Sequence, residues 1–145
     1  MATNKIVLKG SNHYDEGVLA AAVSPGMAVE LQPTSKIDLV QASQAEALKQ
    51  GIPLVAVEDG LQGKTVDDAY ALGDIVFTYQ PVAGDHLQVL VKDGQVIAIG
   101  DKLVVDGSDS GLWSGITGSE AAYQVKALEA VSPSGANGLC KVVVL

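Results

Sequence analysis

The sequence contains no arginine: its nine basic residues are all lysine, against 17 acidic ones, for a net charge of −8. Arginine is the side chain best shaped for bidentate contact with phosphate and guanine. An acidic chain without it is a poor partner for nucleic acid, and its charge opposes anionic membrane surfaces. Cysteine occurs once, at Cys140, so no internal disulfide can form. That thiol lies in the apolar run LCKVVVL and is expected to be a small buried core residue. Histidine occurs twice, as His13 and His86, far apart and without the close spacing of a zinc site. No apolar run approaches the roughly 18 residues needed to cross a bilayer, and the opening MATNKIVLKGSNHYDEG lacks the shape of a signal peptide. A chain made in the cytoplasm, with no cofactor and no metal, is the expectation.

Aromatics make up only 4% of the sequence while hydrophobic residues make up 48%, so the core must be aliphatic. Sixteen glycines call for many turns. The chain length suits one domain. Residues 1–24 are expected to form an N-terminal arm ending at Ser24-Pro25-Gly26, with a helical turn over 18–23; residues 25–145 form a single β-rich domain. The arm has no core of its own. It is expected to dock on a neighbouring subunit or partner through Tyr14, Val18 and Leu19, which would otherwise be exposed.

Beyond the arm, MAVELQ alternates as a half-buried strand does, and further strands are expected at 37–40, 53–57, 75–79, 87–91, 96–99 and 103–105. Asp93-Gly94 signals a hairpin between two of them. Residues 42–50 are the best helix candidate, with Ser43 and Glu46 spaced as a capping box and Gly51 as a stop. Residues 106–118 look like a loop. Strands over 123–131 and 139–145 are expected to pair. Gly-Asp recurs at 73–74, 84–85 and 100–101, each time just before an apolar strand, with glycine supplying the turn and aspartate bonding back to the backbone. The fold class is therefore all-β and mainly antiparallel: a small barrel or tulip-like sandwich with one short helix and an extended arm.

Catalytic patterns fail on inspection. Read as a calcium loop, the segment from Asp106 places Ser108 and Ser110 at ligand positions and Thr117 where a bidentate glutamate belongs. Gly63-Lys64-Thr65 ends like a phosphate loop, but Glu58 stands where the first glycine is required. No serine lies in a nucleophile elbow. The acidic pairs Asp15-Glu16, Glu58-Asp59 and Asp67-Asp68 are adjacent residues, which point apart on a strand. Trp113, in a Gly/Ser-rich stretch, is either an interface anchor or a plug folded back over a barrel end.

Residues 57–76 carry the most specific pattern: an apolar strand, the acidic turn Glu58-Asp59, then Gly60-Leu61-Gln62-Gly63-Lys64, Asp67-Asp68-Ala69-Tyr70, Gly73-Asp74 and another apolar strand. This segment resembles the signature of the capsid decoration (cement) proteins of tailed bacteriophages. Ser24-Pro25-Gly26-Met27, the Gly94–Leu103 stretch and the penultimate strand resemble other parts of that family. The resemblance implies a virion protein, made in the host and bound to the outer capsid surface. Its partners would be the major capsid protein and its own copies, as a homotrimer rather than a dimer, and its work would be to stabilise the shell without enzymatic activity. The residues themselves also admit a structural account. Gly60, Gly63 and Gly73 permit sharp turns, Asp67 and Asp68 can cap a short turn, and Tyr70 can lay an apolar ring with a polar tip over a core edge. Two rivals stand beside this: a β-clip-like sugar-binding or enzyme-associated module, and a head or tail fibre component contacting host glycans.

Overall fold

A computed structural model describes residues 5–10, 14–31, 36–39, 54–106, 111–116 and 125–145. Among the described residues eleven strands form two sheets: β1 Val7–Lys9, β2 Tyr14–Val18, β3 Ala28–Leu31, β4 Ile37–Leu39, β5 Leu54–Val57, β6 Ile75–Tyr79, β7 His86–Val91, β8 Lys102–Val105, β9 Trp113–Gly115, β10 Val125–Ala127 and β11 Gly138–Val144. Helix among the described residues amounts to one 3-10 turn, Gly60–Gln62. The helix expected over 42–50 lies outside the described residues.

The first sheet runs β1-β7-β11-β10-β8-β9, and a parallel pairing of Val91 with Trp113 returns β9 to β7. Strands β7, β11, β10, β8 and β9 thus close into a barrel, while β1 covers the free part of the β7 edge at His86 and Leu87. Closure removes the open edges that would otherwise template aggregation. Leu87, Val89 and Val91 of β7 join Leu103, Val105, Val125, Cys140, Val142, Val144 and Trp113 in the principal core. Strand β11 shows the alternation that the expected 139–145 strand required, and it pairs with β10 as expected.

The second sheet runs β2-β6-β5-β3-β4 and curls until its two edges meet, Leu19 bridging Ile37 with Ala20 N–H donating to Ile37 O at 2.8 Å. Gly17 makes the curl possible, because a Cβ there would come within 2.6 Å of Ile37 Cγ1. Its concave side holds a second core of Leu19, Val23, Met27, Val29, Ile37, Ala56, Tyr70 and Val76. The convex side feeds the principal core through Ala28, Val55, Val57 and Tyr79. Strand β5 and the first half of β3 are thus buried on both faces, which is why Leu54-Val55-Ala56-Val57 is a continuous apolar run.

Five sequence expectations need correction. Residues 5–10 and 14–24, the described part of the expected arm, are not external: β1 and β2 are members of the two sheets, and Ile6, Leu19 and Val23 lie in the cores. No helical turn forms over 18–23, where Leu19 and Val23 instead bridge to Ile37 and Tyr70. Residues 96–99 do not form a strand, since Ile97 makes one two-bond bridge to Val131 before the chain turns. The Asp93-Gly94 turn forms, yet β7 pairs with β1, β9 and β11 instead of with the segment that follows. The stretch taken as a loop contains β9, which closes the barrel. Long-range pairing decides each of these, and local propensity does not report it.

The Gly-Asp steps form one device used three times. Asp74, Asp85 and Asp101 each donate their N–H to the carbonyl three residues back, on Ala71, Val82 and Ala98, at 3.0–3.1 Å. Each Oδ2 accepts the N–H of that same residue at 2.8–2.9 Å. The intervening Gly73, Gly84 and Gly100 have φ of 86°, 94° and 89°, as the third position of a type II turn demands. The carboxylate fixes the exit direction of β6, β7 and β8. Asp85 also accepts the buried Tyr79 hydroxyl at 2.6 Å. We therefore expect Asp101→Ala to cost about 1 kcal/mol and Asp85→Ala about 2–3 kcal/mol, because only the latter takes away the carboxylate to which a buried hydroxyl donates. Urea unfolding of the two variants checks the order; equal losses would show that the Tyr79 bond adds nothing.

Candidate functional site

The signature segment is a strap from β5 to β6. Asp59, buried, caps the 3-10 turn by accepting Gln62 N–H at 3.3 Å, and Gly63 leaves it in the left-handed region at φ 72°. Asp68 then accepts the Thr65 N–H at 2.8 Å, while Asp67 donates its N–H to Thr65 Oγ1 at 3.3 Å. Tyr70 is buried, bridges Val23 through its backbone, and donates its hydroxyl to Val57 O at 2.7 Å. The strap closes at Gly73-Asp74. The side chains of Asp59, Asp68, Tyr70 and Asp74 are thus engaged in holding backbone, and the ring of Tyr70 covers the second core as its amphipathic shape suggests. Burial, reinforced by the carboxylates of Asp59, Glu58 and Asp74, pushes the Tyr70 phenol up to about 12, against an opposing backbone hydrogen bond. The Cys140 thiol is buried as expected and is pushed up to about 12, first by burial and then by Glu129, so it is neutral in ordinary buffers and a poor nucleophile.

Among the described residues no three His, Cys, Asp or Glu side chains gather as a metal site would require. None of the helices there is long and apolar enough to cross a membrane. His86 sits half-buried on β7.

What remains accessible is a face. Strands β2 and β6 pair in antiparallel register with Tyr14 opposite Tyr79, Glu16 opposite Phe77 and Val18 opposite Ile75, so these six side chains share one side of the ladder. Tyr79 is buried at one end. Tyr14 beside it is 51% exposed, and toward the other end the side emerges into solvent: Val18 and Ile75 are 42% and 55% exposed, and Leu72, in the adjoining turn, 69%. That turn is fastened to β2 by Gly73 N–H to Leu19 O at 3.1 Å and by Leu19 N–H to Asp74 O at 2.9 Å. Tyr14, Asp15, Glu16 and Phe77 line a shallow groove of about 280 Å³. The Tyr14 ring leans on Tyr79 with centroids 5.0 Å apart at 59°. The phenol of Tyr14 is held above its ordinary range by burial first, then by Tyr79, Glu58 and Asp85. Leu61, almost fully exposed, projects from the 3-10 turn beyond β5 at the same end of the sheet as Ile75.

The structure thus separates the four residues chosen as interface anchors. Tyr14 and Val18 lie on the accessible face. Leu19 is buried in the second core and Trp113 in the barrel core, so neither can touch a partner. Trp113 belongs to a barrel strand and packs in the barrel core. Glu16, Leu72, Ile75 and Phe77 went unselected in the sequence. The alternation of Ile75, Phe77 and Tyr79 is visible there, but which end leaves the core is set by the curl of the sheet.

No protein-family model matches the sequence, and no curated protein matches it. Among solved structures the fold is similar to the N base of the head fiber gp8.5 of bacteriophage phi29, with a TM-score of 0.57 and 15% identity over 91% of this chain and 92% of that one. The likeness spans both sheets and establishes the fold.

Proposed function

We propose that this chain is a structural protein of a tailed-phage head, a decoration protein that binds the outer surface of the mature shell and stabilises it. The observation that carries the reading is the near full-length correspondence of fold with a head fiber base. The resemblance of residues 57–76 to decoration proteins points the same way from the sequence. The side chains of that segment serve architecture, as suits a protein whose work is contact area and not chemistry. We propose accordingly that it is not an enzyme and that its partners are the major capsid protein and its own copies, with a trimer as the assembled state. Repeated attachment on a lattice turns weak contacts into durable ones. An acidic outer surface keeps decorated particles apart.

A second reading, that the chain is the base from which a fibre rises, is favoured by the identity of the similar structure. The two differ in number: decoration fills the lattice, whereas a fibre base occupies a subset of positions.

Adding the purified protein to bare, expanded shells is expected to raise their disruption temperature. A ligand that binds only the intact shell stabilises it by about 2.7 kcal/mol per site at 100 times its dissociation constant. Dye access to packaged DNA during a thermal ramp measures the effect, and a reconstruction of the same particles counts occupied positions. Unchanged disruption at full occupancy would remove the cement role; occupancy of a small subset of sites would favour the fibre base.

A further inference from the structure

We propose that the outward side of the β2–β6 ladder is the docking face, and that its occupant is a protein surface offering a lysine or arginine side chain surrounded by apolar contacts. The inference rests on the reading above and assigns that reading a surface. Apolar side chains isolated on a surface are ordinary, but here Val18 and Ile75 are direct cross-strand neighbours and Leu72 lies in the turn bonded to β2. The patch is continuous with the groove, which Tyr14 and Phe77 line together with Glu16, the cross-strand partner of Phe77. Aromatic faces beside an anion favour a cation, by attraction to the ring quadrupole and by pairing with the carboxylate. The charges around the patch agree: Asp15 and Glu16 on β2 and Asp74 in the turn are exposed carboxylates.

This pattern selects against a second copy of the same chain. Two such faces brought together would oppose Glu16 to Glu16 and Asp74 to Asp74, and the chain carries 17 acids to nine lysines to offer elsewhere. A basic partner relieves that repulsion and satisfies the groove. The backbone beneath is stiff, since the ladder is fully paired and the Asp74 turn is locked by its own side chain, so docking orders little that is not already ordered.

The test uses the full-length protein carrying a photo-crosslinking residue at position 72, assembled on phage heads, together with Glu16→Lys and Ile75→Thr. Both substitutions are at exposed strand positions, and Thr keeps the β-branch, so circular dichroism and melting should match the unmodified protein. We expect the crosslink to join the chain to a different head protein, at a peptide containing Lys or Arg. Glu16→Lys should weaken head binding at least tenfold, Ile75→Thr severalfold, and added salt should weaken the unmodified protein but not the Lys variant. Heads that hold the chain but show crosslinks only between its own copies, or none, overturn the inference and leave the head-protein reading standing. Unaltered binding by both variants does the same. Heads that never take up the unmodified chain overturn the reading and this inference with it.

Discussion

Deleting residues 2–20 is expected to unfold the protein, not to leave a trimmed domain that binds less well. The segment looks detachable in the sequence, but it contributes a strand to each sheet. Without β2, the β6 edge loses five paired residues and the curled sheet loses the Leu19–Ile37 bridge that holds its ends together. Without β1, the backbone of β7 loses the bond from Gln88 N–H to Ile6 O, and the buried Gln88 side chain loses its bond to Lys5 O. Ile6 and Leu19 leave the two cores, and truncating a single buried residue of that kind already costs about 2–5 kcal/mol. Against a total stability of about 5–15 kcal/mol, two such losses with the lost pairing exhaust the reserve. The truncated chain should express as aggregate, or show no cooperative transition by circular dichroism and a collapsed amide NMR spectrum. A soluble product melting cooperatively within a few degrees of the full chain would mean that β1 and β2 are dispensable and that the segment is an arm after all.

Trp113→Ala should be the most damaging single substitution in the barrel. The indole is the largest fully buried side chain and sits on β9, the strand whose pairings to β8 and β7 close the barrel. Emptying that volume costs about 3–5 kcal/mol, a drop in melting temperature of roughly 6–20 °C for a chain of this size. Trp113→Phe should cost far less, about 1–2 kcal/mol. The indole Nε1 is buried without an acceptor among the described residues, so replacing it with a phenyl ring forfeits volume and no hydrogen bond. The ratio of the two losses, from denaturant curves, separates packing from polar contributions. A Phe variant as unstable as Ala would reveal that the N–H is satisfied in solution, for instance by an internal water.

The same tryptophan shows where sequence reading stops. Apart from Leu112 its neighbours are Gly and Ser, residues with poor strand propensity, so little that is local marks it as part of a sheet. The strand exists because β8 and β7 supply partners on either side. The residues at 96–99 illustrate the converse: Val-Ile-Ala-Ile has strong strand character, but Ala98–Asp101 is taken by the aspartate turn, and only Ile97 stays paired. The expected interface anchors divide for the same reason. Tyr14 and Val18 stay accessible, while Leu19, one residue on, is turned inward by the curl.

Several features were determined by the sequence alone, and they are the local ones. Glycine at the third position of a turn and aspartate at the fourth prescribe their own hydrogen bonds within four residues, so all three Gly-Asp steps were legible. Strand β6 has the bounds expected from its β-branched and aromatic run, and the last strand pairs with the one before it as expected. The lack of arginine and the shortage of aromatics likewise defined an acidic chain with an aliphatic core. Tertiary structure decided what depends on residues distant in the chain: the return of β9 to β7, the enlistment of β1 and β2 into the two sheets, and the ladder face left open to a partner. A strand's alternation names two faces but not which is covered. Covering is settled by register between segments many residues apart, where one residue of slip exchanges inside for outside.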